Sequence, residues 1–116
     1  MTKADPRPRV LKLASGKAYQ RLLAGPPATA GLRSGRVTLA PGQTVGRHTT
    51  GAHEEVLVVL RGRGAAECDG RRPLSLSVRS VAYIPPMTEH DVRNTGKTGL
   101  EYVYLVAPIR TPLRVR

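Results

Sequence analysis

Glycine (12) and proline (10) recur along this chain at close spacing, and they leave room only for short elements joined by turns. The runs between them are rich in Val, Leu, Ile and Tyr. "RVTLA" (36–40), "SVAYIPP" (80–86), "HDVRNTG" (90–96) and "LEYVYLVAP" (100–108) each read as a strand. "EEVLVVLRG" (54–62) has the β-branched run of a strand buried on both faces. "LSLSV" (74–78) alternates strictly, and Asp69-Gly70 just before it marks a hairpin. "AYQRLLAG" (18–25) suits either a strand or a short helix. Helical periodicity is almost absent. Many short strands at this spacing predict an all-β sandwich or barrel.

Length and composition narrow the reading further. A chain of 116 residues suits one domain, expected over 11–116 behind a loose polar arm at 1–10 that contains Pro6 and Pro8. Phe and Trp are absent, so the core must come from Val, Leu, Ala, Ile and four tyrosines. The single cysteine, Cys68, allows no disulfide framework and fits a reducing cytoplasm. It has no histidine nearby in sequence and reads as structural. "MTKADPRPRV" lacks the apolar core of a signal peptide, and no run approaches a membrane span. The net charge of +11 invites a nucleic-acid reading. The distribution disfavours it: nine basic residues lie in 1–58 and ten in 59–116, mostly as singles or pairs. The field they create suits anionic small molecules better.

Chemistry concentrates in "HTTGAHEE" (48–55), which holds two of the three histidines beside two carboxylates. Imidazole nitrogens and carboxylate oxygens together suit Fe, Mn, Ni or Zn. Strand periodicity sorts the directions. His48 and Thr50 share one face. His53, Glu55, Leu57 and Val59 share another, and Glu54, Val56 and Val58 point the opposite way. The third histidine opens a strand in which His90, Val92 and Asn94 lie on a common face.

In register, these residues resemble the two motifs of the cupin superfamily. The first motif reads G, five residues, H, one residue, H, three or four residues, E, six residues, G. Here it is Gly42, His48, Thr50 in the second histidine position, Glu55 and Gly62. The second reads G, five residues, P, one residue, G, two residues, H, three residues, N. Here it is Arg79 in a glycine position, Pro85, Met87 in a glycine position, His90 and Asn94. Seven of the ten motif positions match, and the 16 intervening residues make the short spacer of small single-domain bacterial cupins. Arg79 and Met87 bear on turn geometry. Thr50 removes one member of the family's three-histidine, one-glutamate ligand set.

The resemblance implies a double-stranded β-helix, or jelly roll, with a divalent transition metal inside the barrel. His48, Glu55 and His90 are the implied ligands. His53 is a candidate to fill the place that Thr50 leaves, or else a group that orders Glu55 from behind. Thr50, Tyr83, Tyr102 and Tyr104 are candidates to line a ligand pocket, and Arg47, Arg61 and Arg93 to grip an anion at its mouth. Gly42, Gly62, Pro85 and Asn94 serve the backbone. Similar proteins include dioxygenases, isomerases, decarboxylases and lyases acting on small oxygenated or carboxylated molecules, and the alternative is a non-catalytic binding or sensing module. The doubly apolar run at 54–60 suits a homodimer. No residue is assigned to a catalytic step from sequence.

Overall fold

The computed structural model describes residues 6–110, which contain eight strands and no helix. They are β1 (Tyr19–Ala24), β2 (Arg33–Leu39), β3 (His53–Arg61), β4 (Gly64–Cys68), β5 (Leu74–Leu76), β6 (Val81–Ile84), β7 (His90–Asn94) and β8 (Leu100–Pro108). A five-stranded sheet has the order β1-β2-β8-β3-β6, and a three-stranded sheet the order β5-β4-β7. All pairings are antiparallel. The expected jelly roll is therefore the fold, and "AYQRLLAG" resolves as strand. Of the arm expected at 1–10, residues 1–5 lie outside the described residues. Residues 6–10 are exposed and carry no regular structure.

The core lies between the sheets and is aliphatic, as a chain without Phe or Trp requires. Leu57, Ile84 and Leu100 are at most 1% exposed. Burial of each such side chain contributes about 1.5–3 kcal/mol. In β3 the inward residues Glu55, Leu57 and Val59 are buried, while Val56 and Val58 are only half-buried. The expectation of burial on both faces is thus corrected. The inner face meets the small sheet, and nothing in the described chain covers the outer one to the same degree.

Residues 42–48 are too irregular to count as a strand, yet they dock on β7 as one. Gly42 N–H donates to Asn94 O (3.0 Å), Val45 N–H to Val92 O (3.0 Å), and His48 and His90 exchange both backbone bonds (2.9 and 2.8 Å). Asn94 is 1% exposed and fixes the far end. Its amide donates to Leu39 O and Thr98 O, both at 2.8 Å, and its side-chain oxygen accepts from Gly96 N–H. This ties two turns to β7 and so sets where His48 begins.

The two substituted glycine positions keep the glycine conformation. Arg79 has φ 68° and Met87 φ 57°, and they are the non-glycine residues recorded with positive φ. Each is held there by a long-range bond, Arg79 N–H to Val59 O (3.2 Å) and Met87 N–H to Gly51 O (2.8 Å). A side chain in this region costs about 1–2 kcal/mol. Glycine gives back part of that through its more flexible unfolded state. Arg79→Gly and Met87→Gly are each expected to raise stability by about 0.5–1 kcal/mol, read as a later midpoint in urea at constant slope. A loss of stability in both would remove the strain argument.

Candidate metal centre

The β7 register and the docked segment place His48 directly opposite His90. Paired residues share a face, and the two rings lie 4.4 Å apart between centroids. Glu55 projects towards them from β3 in the facing sheet. One ligand atom from each of His48, Glu55 and His90 lies within 4.8 Å of the others. Glu55 and His90 are buried and His48 stands exposed at the rim.

Backbone carbonyls orient both rings. His48 Nδ1 lies 2.7 Å from Gly46 O, and His90 Nδ1 2.9 Å from Thr88 O. A carbonyl can only accept, so each Nδ1 carries the proton and each Nε2 is left to bind inward. His90 Nε2 lies 3.0 Å from Glu55 Oε1. That bond raises the His90 pKa above its ordinary value. Burial opposes the rise, and the Thr88 carbonyl adds to it. A metal ion binding here would take the place of the proton shared by His90 and Glu55. Two oriented imidazoles and one carboxylate form a donor set that fits a divalent transition metal.

The structure does not bring His53 into this group. His53 Nδ1 bonds instead to Thr50 O (2.9 Å), and Thr50 Oγ1 donates to His53 O (3.2 Å). His53 shares the inward face with Glu55, but it lies two residues further along β3, at its very end. Thr50 itself lines the cavity beside His48, Glu55 and His90.

That cavity has a volume of about 390 Å3. Tyr102 and Tyr104 reach it from β8, as expected, and Tyr19 joins them from β1. The Tyr19 and Tyr104 hydroxyls bond at 2.7 Å, with their rings stacked 6.5 Å apart. Burial raises both Tyr102 and Tyr104 far above the ordinary phenol value, and the bond to Tyr19 adds to the rise at Tyr104. Both are therefore protonated donors at any working pH. Gly35 makes the tyrosine pair possible. A β-carbon there would sit 2.7 Å from Tyr104 Cε2 and Oη. Sequence reasoning missed Tyr19 because its segment read as strand or helix. A glycine inside the β2 run was the available signal for close approach.

Tyr83 is a correction. It pairs with Val56 in the β3–β6 ladder, faces outward, and is 53% exposed. Its hydroxyl donates to Glu54 Oε1 (2.8 Å), which raises its pKa. The three arginines proposed for the mouth are also elsewhere. Arg47 pairs with Asp69 and Glu89, Arg61 lines a separate groove near Arg36, and Arg93 is exposed beside Glu67. Cys68 packs against the core, and burial pushes its thiol up, which leaves a poor nucleophile.

Comparison with known proteins agrees with this architecture. The family profile described as "Cupin domain" matches residues 35–106. No curated protein sequence matches the chain. A solved protein from Bacillus halodurans is 24% identical with a TM-score of 0.77, covering 97% of this chain and 89% of that one. A predicted oxalate decarboxylase from Thermotoga maritima is 19% identical with a TM-score of 0.65, covering 86% and 100%. The Schizosaccharomyces pombe Cnp3 cupin domain is 15% identical with a TM-score of 0.70, covering 78% of this chain, which spans only 64% of that one. At such identities the solved structures speak for the fold alone. The profile match spans more than half of the chain, both motifs, and His48, Glu55 and His90. The chain belongs to the cupin family.

Proposed function

We propose that this chain is a small metal-binding cupin in which His48, Glu55 and His90 hold one divalent transition metal (Fe, Mn, Ni or Zn) and act on a small oxygenated or carboxylated molecule. The observation that carries this reading is the convergence of the three ligand atoms within 4.8 Å, with both Nδ1 atoms already committed to carbonyls. The metal would supply Lewis acidity towards a substrate oxygen. The chain's own groups do the rest. Gly46 O and Thr88 O fix the rings, Glu55 supplies negative charge, and the Tyr102 hydroxyl offers a hydrogen bond across the cavity. A dioxygenase, isomerase, decarboxylase or lyase reaction fits this equipment, and the fold alone does not choose among them. Thr50 at the vacated ligand position favours the second reading, a non-catalytic binding or sensing cupin with a weakened site.

Elemental analysis and calorimetry on the purified protein separate the two. One equivalent of metal per chain is expected, lost in His48→Ala and retained in His53→Ala. Because the His90 pKa is raised, protons compete with metal at this ring. Affinity is therefore expected to be highest above the raised value and to fall as pH drops through it, with about one proton released per metal bound. A chain that takes up no metal from any of the four ions, at any pH where it is folded, would support the weakened-site reading.

The remaining features of this reading are a cytoplasmic location, for which the lone cysteine speaks, and a homodimer. Half-buried Val56 and Val58, with Val81 at 67% exposure on the adjacent edge strand, give an apolar outer face that a second copy suits.

A further inference from the structure

The cavity beside the candidate metal site is lined by no basic side chain other than histidine among the described residues. Its described walls contain no Lys or Arg, although the chain has 19 of them. Arg47 is engaged outside it with Asp69 and Glu89, and Arg93 with Glu67; Arg21 opposes the rise in the Tyr104 pKa through its charge but does not line the cavity. Away from the ligand residues the walls are apolar, with Val37, Val45, Val92 and Val106 among them. One polar group on this surface is open to a ligand. Tyr102 is 3% exposed overall, its hydroxyl makes no hydrogen bond to the described residues, and its oxygen is not sealed from solvent, since no buried side-chain polar atom among them lacks a partner. The Tyr19 and Tyr104 hydroxyls, by contrast, satisfy each other. A phenol hydroxyl held at the wall of an apolar cavity is a ready hydrogen-bond donor to whatever occupies it. Here the open side faces the cavity.

Charge accounting sets the class of occupant. A divalent ion and the Glu55 carboxylate sum to +1. A singly deprotonated ligand closes the site to neutrality. A dianion leaves one negative charge among valines with no Lys or Arg in the described walls to pair with it, which is costly. The volume of about 390 Å3 lies at the small end for ligand sites.

Resting on the metal-binding reading above, we infer that the site takes small, mainly apolar molecules with adjacent hydroxyl and carbonyl oxygens, bound as monoanions, and that the Tyr102 hydroxyl hydrogen-bonds to them. Dicarboxylates and phosphates in their dianionic forms are disfavoured. This sets the chain apart from the oxalate chemistry in the name of its Thermotoga maritima neighbour.

The chain reports on itself, because it has no Trp and three of its four tyrosines line the cavity. Zinc-loaded protein is titrated with maltol, a monoanionic hydroxyketone chelator, and with oxalate, a dianion, by tyrosine emission and calorimetry. Zinc content is followed by dialysis. Maltol is expected to change the emission and to bind at least about tenfold more tightly than oxalate. Tyr102→Phe is expected to weaken maltol binding about five- to tenfold with zinc stoichiometry unchanged, and Tyr83→Phe to leave it alone. Oxalate binding as tightly as maltol overturns the inference while leaving the metal site intact. So does maltol that strips zinc without forming a complex, or an affinity indifferent to Tyr102→Phe. A chain that takes up no zinc or other metal removes both readings together.

Discussion

His90→Ala is expected to lose metal binding and about 3 kcal/mol of stability in the metal-free protein. Both effects come from one contact. His90 and Glu55 have side chains 1% and 7% exposed, and they meet at 3.0 Å. Deleting the imidazole leaves a carboxylate buried without its one recorded side-chain partner, which is why the cost exceeds that of a surface pair. Removal of a direct ligand should weaken metal binding by more than the about 10–100-fold that follows loss of a supporting partner. The pH dependence has a definite sign. The folded His90 pKa is raised, so the pair's contribution to the metal-free protein is full below the ordinary value of about 6.5. It declines as pH rises through the raised value. The measurement is urea unfolding in chelator for wild type, His90→Ala and the double variant Glu55→Leu with His90→Leu. The double variant should recover much of the stability while binding no metal, because it removes the orphaned charge along with its partner. Equal stability of wild type and His90→Ala would mean that Glu55 is not held by this bond.

The site was legible where its geometry follows from period two and motif spacing. His48, Glu55 and His90 are strand or strand-paired positions, and facing could be worked out for each. Glu54 was separated from Glu55 on the same ground, and the structure places it on the outer face with Tyr83. What the sequence could not convey was reach. His53 has the right face but sits at the end of β3, where its ring meets the turn carbonyl of Thr50. Tyr83 was grouped with Tyr102 and Tyr104 by residue type, and the β3–β6 register sends it outward opposite Val56. Tyr19 escaped notice because its role depends on a partner 85 residues away and on the missing side chain of Gly35. Contacts across three strands leave no local pattern. The turn positions behaved differently again. Arg79 and Met87 looked like departures from the motif, yet the backbone kept the conformation and accepted the strain.

Gly62→Ala is expected to cost about 3 kcal/mol or more, and Gly42→Ala about 1–2 kcal/mol, although both glycines belong to the first motif. The two have similar backbone angles, φ 77° and 83°. If φ were the whole reason for glycine, the two variants would behave alike. Their surroundings differ. A β-carbon on Gly42 meets nothing within 4 Å, so only the left-handed conformation is penalised. One on Gly62 would collide with the Gly99 carbonyl and lie 3.0 Å from Leu100 Cα. Those atoms are backbone at the start of β8, the strand that pairs with β3 and carries Tyr102 and Tyr104. They cannot yield as a side-chain tip can. The Gly62 variant must therefore shift β8 against β3 or break the ladder beside the bulge between Val59 and Arg61. At about 4 °C per kcal/mol for a domain of this size, the melting point should fall by about 12 °C for Gly62→Ala and by about 4–8 °C for Gly42→Ala. Tyrosine emission, which reports the cavity, should change in the first variant alone. Equal melting points would show that φ, and not the approach of β8, is what fixes glycine at position 62.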